Sequence, residues 1–73
     1  NYKDHLPPHF HAEYNGKKAS FNINTFKRMN GELPSRIVGL ILEWASMHQE
    51  ELMENWERAV SMRPVKPIKP LVE

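Results

Sequence analysis

Three of the four histidines in this 73-residue chain fall within one short stretch, Asp4-His5-Leu6-Pro7-Pro8-His9-Phe10-His11. His9 and His11 stand two residues apart, so on a β-strand both imidazoles project from the same face. Pro7-Pro8 is a stiff, extended elbow with His5 on its other side. Two imidazoles on one strand can share a divalent ion, so His5, His9 and His11 form a candidate metal set, which Asp4 or Glu13 could complete. A ligand histidine needs its second ring nitrogen held, a role open to Ser20 and Asn22 if they lie opposite. The same cluster could do general acid–base work, because imidazole as a residue type titrates near neutral pH. Cleavage of RNA needs little beyond His, Lys and a polar hydrogen-bonding face. No serine or cysteine nucleophile motif and no glycine-rich phosphate loop accompanies the histidines. A third reading is recognition: His9, His11, Lys18, Ser20 and Asn22, with Lys17, Lys27 and Arg28 nearby, make a donor-rich patch for phosphates or a protein partner. The plain alternative to all three is a solvated face of a hairpin.

The elements that must position these groups can be read from periodicity. His9 to Tyr14 alternates polar and apolar, and Lys17 to Ile23 does the same. Between them lies Asn15-Gly16, the strongest short hairpin signal, because a type I′ turn needs two positive φ angles. A two-residue loop pairs Tyr14 with Lys17. Glu13 then faces Lys18, Ala12 faces Ala19, His11 faces Ser20, Phe10 faces Phe21 and His9 faces Asn22. One side of the hairpin carries Phe10, Ala12, Ala19, Phe21 and Ile23, and the other carries His9, His11, Glu13, Lys18, Ser20 and Asn22. The apolar side must meet helical cover, which leaves the histidines on the opposite face.

Asn24-Thr25 reads as a turn, with Phe26 to Met29 a short third strand stopped by Asn30-Gly31. Pro34 suits a first helical position, and no proline interrupts the helical pattern from there to about Met62. Ile37, Leu40, Ile41, Trp44, Ala45 and His48 form one stripe; Leu52, Trp56, Ala59 and Val60 form a second, displaced by roughly 80°. One bent helix or two consecutive helices would produce that offset, and the lack of a breaker near Met47-Gln49 favours continuity. Trp44 and Trp56 belong with the core stripes. From Arg63 to Pro70, proline at every third residue predicts an extended tail that packs Val65, Ile68 and Leu71 on its own domain. The expected fold is therefore α+β: a small antiparallel meander on one long or two consecutive C-terminal helices.

Composition bounds the reading. A chain of 73 residues makes one domain whose own core is only marginally sufficient, so help from a partner, a metal or self-association is expected. The formal net charge of +1 argues against nucleic-acid binding by bulk electrostatics alone. There is no cysteine, as suits a reducing cytoplasm, and no apolar run long enough for a membrane span. Residue 1 is Asn rather than Met, and Tyr2 could end a strand that begins upstream.

Asp4-His5, Pro7-Pro8-His9-Phe10-His11, Leu33-Pro34, Leu42-Glu43-Trp44, Glu50-Glu51-Leu52 and Glu54-Asn55-Trp56-Glu57 together resemble a small bacterial domain of unknown function, the family numbered in words four thousand one hundred and sixty. The ending Lys66-Pro67-Ile68-Lys69-Pro70-Leu71 is similar too. The resemblance implies an α+β fold and one further apolar strand ahead of residue 1. It also implies a gene placed beside another small domain in the manner of a toxin–antitoxin pair, hence a protein partner from the neighbouring gene. It supplies no activity and no catalytic residues. The expected function is a cytoplasmic interaction domain; the alternative is a hydrolase, RNA-cleaving or metal-dependent, built on His5, His9 and His11.

Overall fold

The computed structural model describes residues 7–68, 70 and 71. Three antiparallel strands in the order β1-β2-β3 are followed by two helices: β1 His9–Tyr14, β2 Lys17–Asn22, β3 Arg28–Gly31, α1 Ser35–Met47 and α2 Gln49–Val60. This is an α+β meander with helical cover. Asn15 and Gly16 both take positive φ, 52° and 79°, as a type I′ turn requires. The tight turn sets the pairing along the hairpin, from Tyr14 with Lys17 to His9 with Asn22, in the register expected from the sequence.

The third strand lies two residues later than the 26–29 expected. The cause is Asn22, whose side-chain oxygen accepts hydrogen bonds from the backbone N–H of Asn24 and Thr25, at 2.7 and 2.9 Å. This local cap widens the loop and turns Phe26 into a left-handed conformation at φ 64°, so its ring packs downward instead of joining a strand. Asn30-Gly31, expected to stop the strand, is part of it. Gly31 sits at φ 76° with its Cα so close to β2 that an added Cβ would lie 2.1 Å from the Lys18 carbonyl oxygen. No other residue type fits there without moving backbone.

The helical segment divides, contrary to the continuity favoured by its lack of a breaker. Pro34 stands just ahead of the first helical residue, and α1 runs until His48, whose φ and ψ of −127° and 24° leave the helical region. His48 N–H closes α1 on the Ala45 carbonyl, and its own carbonyl receives Leu52 N–H to open α2. Tertiary contact stabilises the break: Gln49 Nε2 donates to the Ile23 carbonyl at 2.8 Å, fastening the interruption to the end of β2. The redirected α2 then buries Leu52 beside Ile23 and Ala45, which the roughly 80° offset of the second stripe would not permit on a straight helix.

Two apolar clusters result. Ala19, Phe21, Ile37 and Ile41 form one, and Ile23, Ala45 and Leu52 the other. The Phe10 ring, half-buried and stacked 5.5 Å from Phe21, also reaches Trp44 and packs against both clusters. Beyond α2 the tail is clamped. The Asn55 side chain donates to the Lys66 carbonyl and accepts from the Lys66 N–H, both at 2.8 Å, so one carboxamide brackets the backbone of one residue. Ile68 packs on the second cluster as expected, but Val65 is exposed because that clamp turns the Lys66 backbone, not Val65, toward α2.

Candidate functional site

Strand β1 positions His9 and His11 on the face opposite Phe10 and Ala12, as the alternation requires. Their ring centroids are 5.2 Å apart with planes at 87°. His9 Nδ1 lies 2.8 Å from the Pro7 carbonyl oxygen. A carbonyl only accepts, so Nδ1 is the donor in this contact, and Nε2 is the nitrogen on the other side of the ring. The proline elbow thus holds the His9 ring, the task the sequence had offered to Ser20 and Asn22. Asn22 is committed to its own loop, and Ser20 pairs with His11 across the hairpin.

The face is less open than expected at its His9 end. Trp56 of α2 places its ring 4.8 Å from His9, so the imidazole is half-buried against helical cover while His11 stays exposed. Farther along, His11, Ser20 and Asn30 form a row across β1, β2 and β3. The row lines a shallow depression of about 220 Å³ together with Lys18 and Gly31. Ser20 is only 6% exposed although it is polar, because strands flank it on both sides. Glu13 is exposed and faces Lys18.

Asp4 and His5 lie outside the described residues, so the described part of the site brings together His9 and His11 of the candidate ligands. An ion bonded about 2.0–2.1 Å from one nitrogen of each ring at a tetrahedral angle would set the centroids roughly 5 Å apart, close to the spacing present. Among the described residues, no group of three His, Asp or Glu side chains is gathered for such an ion. The fourth histidine, His48, is elsewhere, with Nδ1 beside the Glu51 carboxylate and its ring 5.2 Å from Trp44.

A second feature borders β1. The Pro8 carbonyl accepts from Ile23 N–H, and the hairpin parity then directs the backbone groups of Phe10, Ala12 and Tyr14 toward β2. Those of His9, His11 and Glu13 point outward, and among the described residues no strand pairs with that edge. Beside it opens a groove of about 340 Å³, lined by Phe10, His11, Ala12, Glu13 and Tyr14 of β1, by Ile37, Leu40, Ile41 and Trp44 of α1, and by Leu71 of the tail. Sequence reasoning about the histidines missed this groove. Its signal was the breadth of α1, where Val38, Leu40 and Leu42 add apolar surface beyond what a three-stranded sheet covers.

Over residues 1–57 the chain matches the family described as Domain of unknown function (DUF4160). The chain belongs to that family. No curated protein and no solved structure matches it. The match takes in the whole of the meander, α1 and most of α2, and it ends before the clamped tail. No helix among the described residues is long and apolar enough to cross a membrane. Membership of the DUF4160 family assigns no chemistry to His9 or His11, so their geometry and the adjoining groove are the grounds for a functional reading.

Proposed function

We propose that this DUF4160 domain is a cytoplasmic protein-interaction module, one half of a two-gene regulatory pair of the toxin–antitoxin kind. The observation that carries the reading is the outer edge of β1, which no strand among the described residues pairs, beside a mainly apolar groove. An edge of that kind is a ready template for association, and a chain this small has little other core to spare. The gene arrangement implied by the family resemblance supplies the candidate partner, the product of the adjacent gene. In the test, the tagged chain is coexpressed with that product and purified through two columns. Stoichiometric retention is expected, whereas independent elution at micromolar concentration would remove the reading.

A hydrolase acting on RNA is the second reading, favoured by one observation: the Pro7 carbonyl fixes the His9 ring beside His11. Lys18 and Ser20 stand on the same face and could hold a phosphate. Incubation of the purified chain with RNA, with added zinc or with chelator, separates the two. The interaction module leaves RNA intact in both arms. Cleavage that disappears in His11→Ala would put the hydrolase first.

A further inference from the structure

We infer that the depression where β1, β2 and β3 meet is a binding site for a terminal phosphate group, free or as a monoester, with Lys18, Ser20, Asn30 and His11 as its donors. The site is one of binding alone. It requires neither the neighbouring gene product nor cleavage of RNA, so it stands or falls separately from both readings above.

A close approach of backbone creates the depression. Gly31 has no side chain, and β3 crosses β2 so closely at Lys18 that a Cβ there would meet the Lys18 carbonyl. The crossing pairs Asn30 with Ser20, which pairs on its other side with His11. Cross-strand partners share a face, so all three side chains stand opposite the helical cover. Lys18 precedes Ser20 by two residues on β2 and shares that face. Together they surround the hollow of about 220 Å³.

Each group is left with a donor to give. Asn30 Oδ1 accepts from the Gly31 N–H at 2.9 Å. An N–H only donates, so the atom facing it is the oxygen, and the carboxamide NH2 is turned away with no partner among the described residues. Ser20 is 6% exposed, and its hydroxyl bonds none of the described residues. Among those residues no buried side-chain polar atom lacks a partner, so the Ser20 hydroxyl must open into the depression. Lys18 stands opposite Glu13 yet forms no ion pair with it or with any other described residue. The His11 imidazole carries at least one N–H in either tautomer, which completes the set without any charge on the ring.

This set selects its ligand. Glu13 lines the neighbouring hollow, and no carboxylate lines this one. A phosphate monoester presents three strong acceptor oxygens and a charge of roughly −1.5 to −2 at neutral pH, which matches donors converging from three strands beside one cation. A phosphodiester keeps two free oxygens and a single charge, and would leave donors unmet. A carboxylate offers two oxygens in one plane.

The test titrates the full 73-residue chain, isotopically labelled, with inorganic phosphate, ribose 5-phosphate, dimethyl phosphate and acetate at matched ionic strength. Magnetic resonance follows the Asn30 side-chain NH2 and the backbone amides of Lys18 and Ser20. Inorganic phosphate and ribose 5-phosphate should both move these signals saturably, whereas dimethyl phosphate and acetate should bind roughly tenfold more weakly. Asn30→Asp keeps an oxygen to accept from Gly31, so the strand is retained while a donor becomes a carboxylate. That variant and Lys18→Met, an exposed change, should each lose roughly tenfold in phosphate affinity, and Lys18→Arg should recover most of it.

Three outcomes overturn the proposal. No saturable response to either phosphate means the hollow is not a site, or that another segment of the full chain fills it. Dimethyl phosphate bound as tightly as ribose 5-phosphate means the surface follows a nucleic-acid backbone instead of a terminal group. Affinity unchanged in both Asn30→Asp and Lys18→Met, with spectra elsewhere like those of the parent chain, places the phosphate at some other surface.

Discussion

His9 and His11 share a face of β1 but not an environment, and the difference is measurable. Trp56 packs against the His9 ring, and the Pro7 carbonyl holds its Nδ1, while His11 extends into solvent. Truncation of His11 should stay within about 0.5 kcal/mol, as exposed changes do. Truncation of His9 removes an aromatic contact of the kind worth roughly 0.5–1.5 kcal/mol, so His9→Ala should be the less stable variant by about that amount. Parallel denaturant melts check this, and equal midpoints for the two variants would show that the Trp56 contact contributes nothing. The distinction was invisible in the sequence, where alternation alone puts both imidazoles on one polar face. Nothing in the spacing of Trp56, more than forty residues away, announces where a redirected helix will place it.

At the level of elements, what could be read in advance was what local chemistry decides. Asn15-Gly16 determines its own turn type, and the pairing of six residues on each side follows from that alone. The third strand slipped because Asn22 reads equally well as a strand residue or as a loop cap, and only the folded chain chooses. The break at His48 eluded a search for glycine and proline, yet Glu50 and Glu51 in the first turn of α2 were a start signal in plain view. The tail is held by α2 through Asn55 and through Glu54, whose carboxylate meets Arg58 at 3.2 Å and Lys66 at 3.4 Å. Hydrogen bonds from Arg58, then from Lys66, hold the Glu54 carboxyl below its ordinary value of 4.5. A folded-state value below the unfolded one makes the contact's contribution complete above pH 4.5 and lost as pH falls through the lowered value. The protection factor of the Lys66 amide, which Asn55 holds directly, should therefore be steady above pH 4.5 and decline modestly as pH falls through the lowered Glu54 value. In Glu54→Gln that acid transition should vanish, and an unchanged profile would mean that Glu54 does not secure the tail.

For the whole molecule, the α+β architecture was legible because apolar periodicity switches from 2 to 3.6 at Pro34. The candidate site was legible only by half. The histidine face follows from register, whereas the groove depends on how far α1 outreaches the sheet, a property of packing and not of any motif. The same packing leaves two apolar clusters, and Phe10 is a partly buried side chain that touches both. Phe10 stands between His9 and His11 in the chain, so the ring that joins the clusters and the two imidazoles on the opposite face share one stretch of backbone. The consequence is thermodynamic cooperativity. With Phe10 present, the domain should melt as a single unit, its van't Hoff and calorimetric enthalpies equal. Phe10→Ala should cost less than the roughly 3–5 kcal/mol of a fully buried ring, because Phe10 is half-buried, and should do something a simple loss of stability does not. The cluster around Leu52 should release before the one around Phe21, and scanning calorimetry should report a van't Hoff enthalpy below the calorimetric one. If the ratio stays at unity in Phe10→Ala, the two clusters are coupled through the backbone of β2 and α1 instead, and His9 and His11 ride on a strand whose order does not depend on the ring between them.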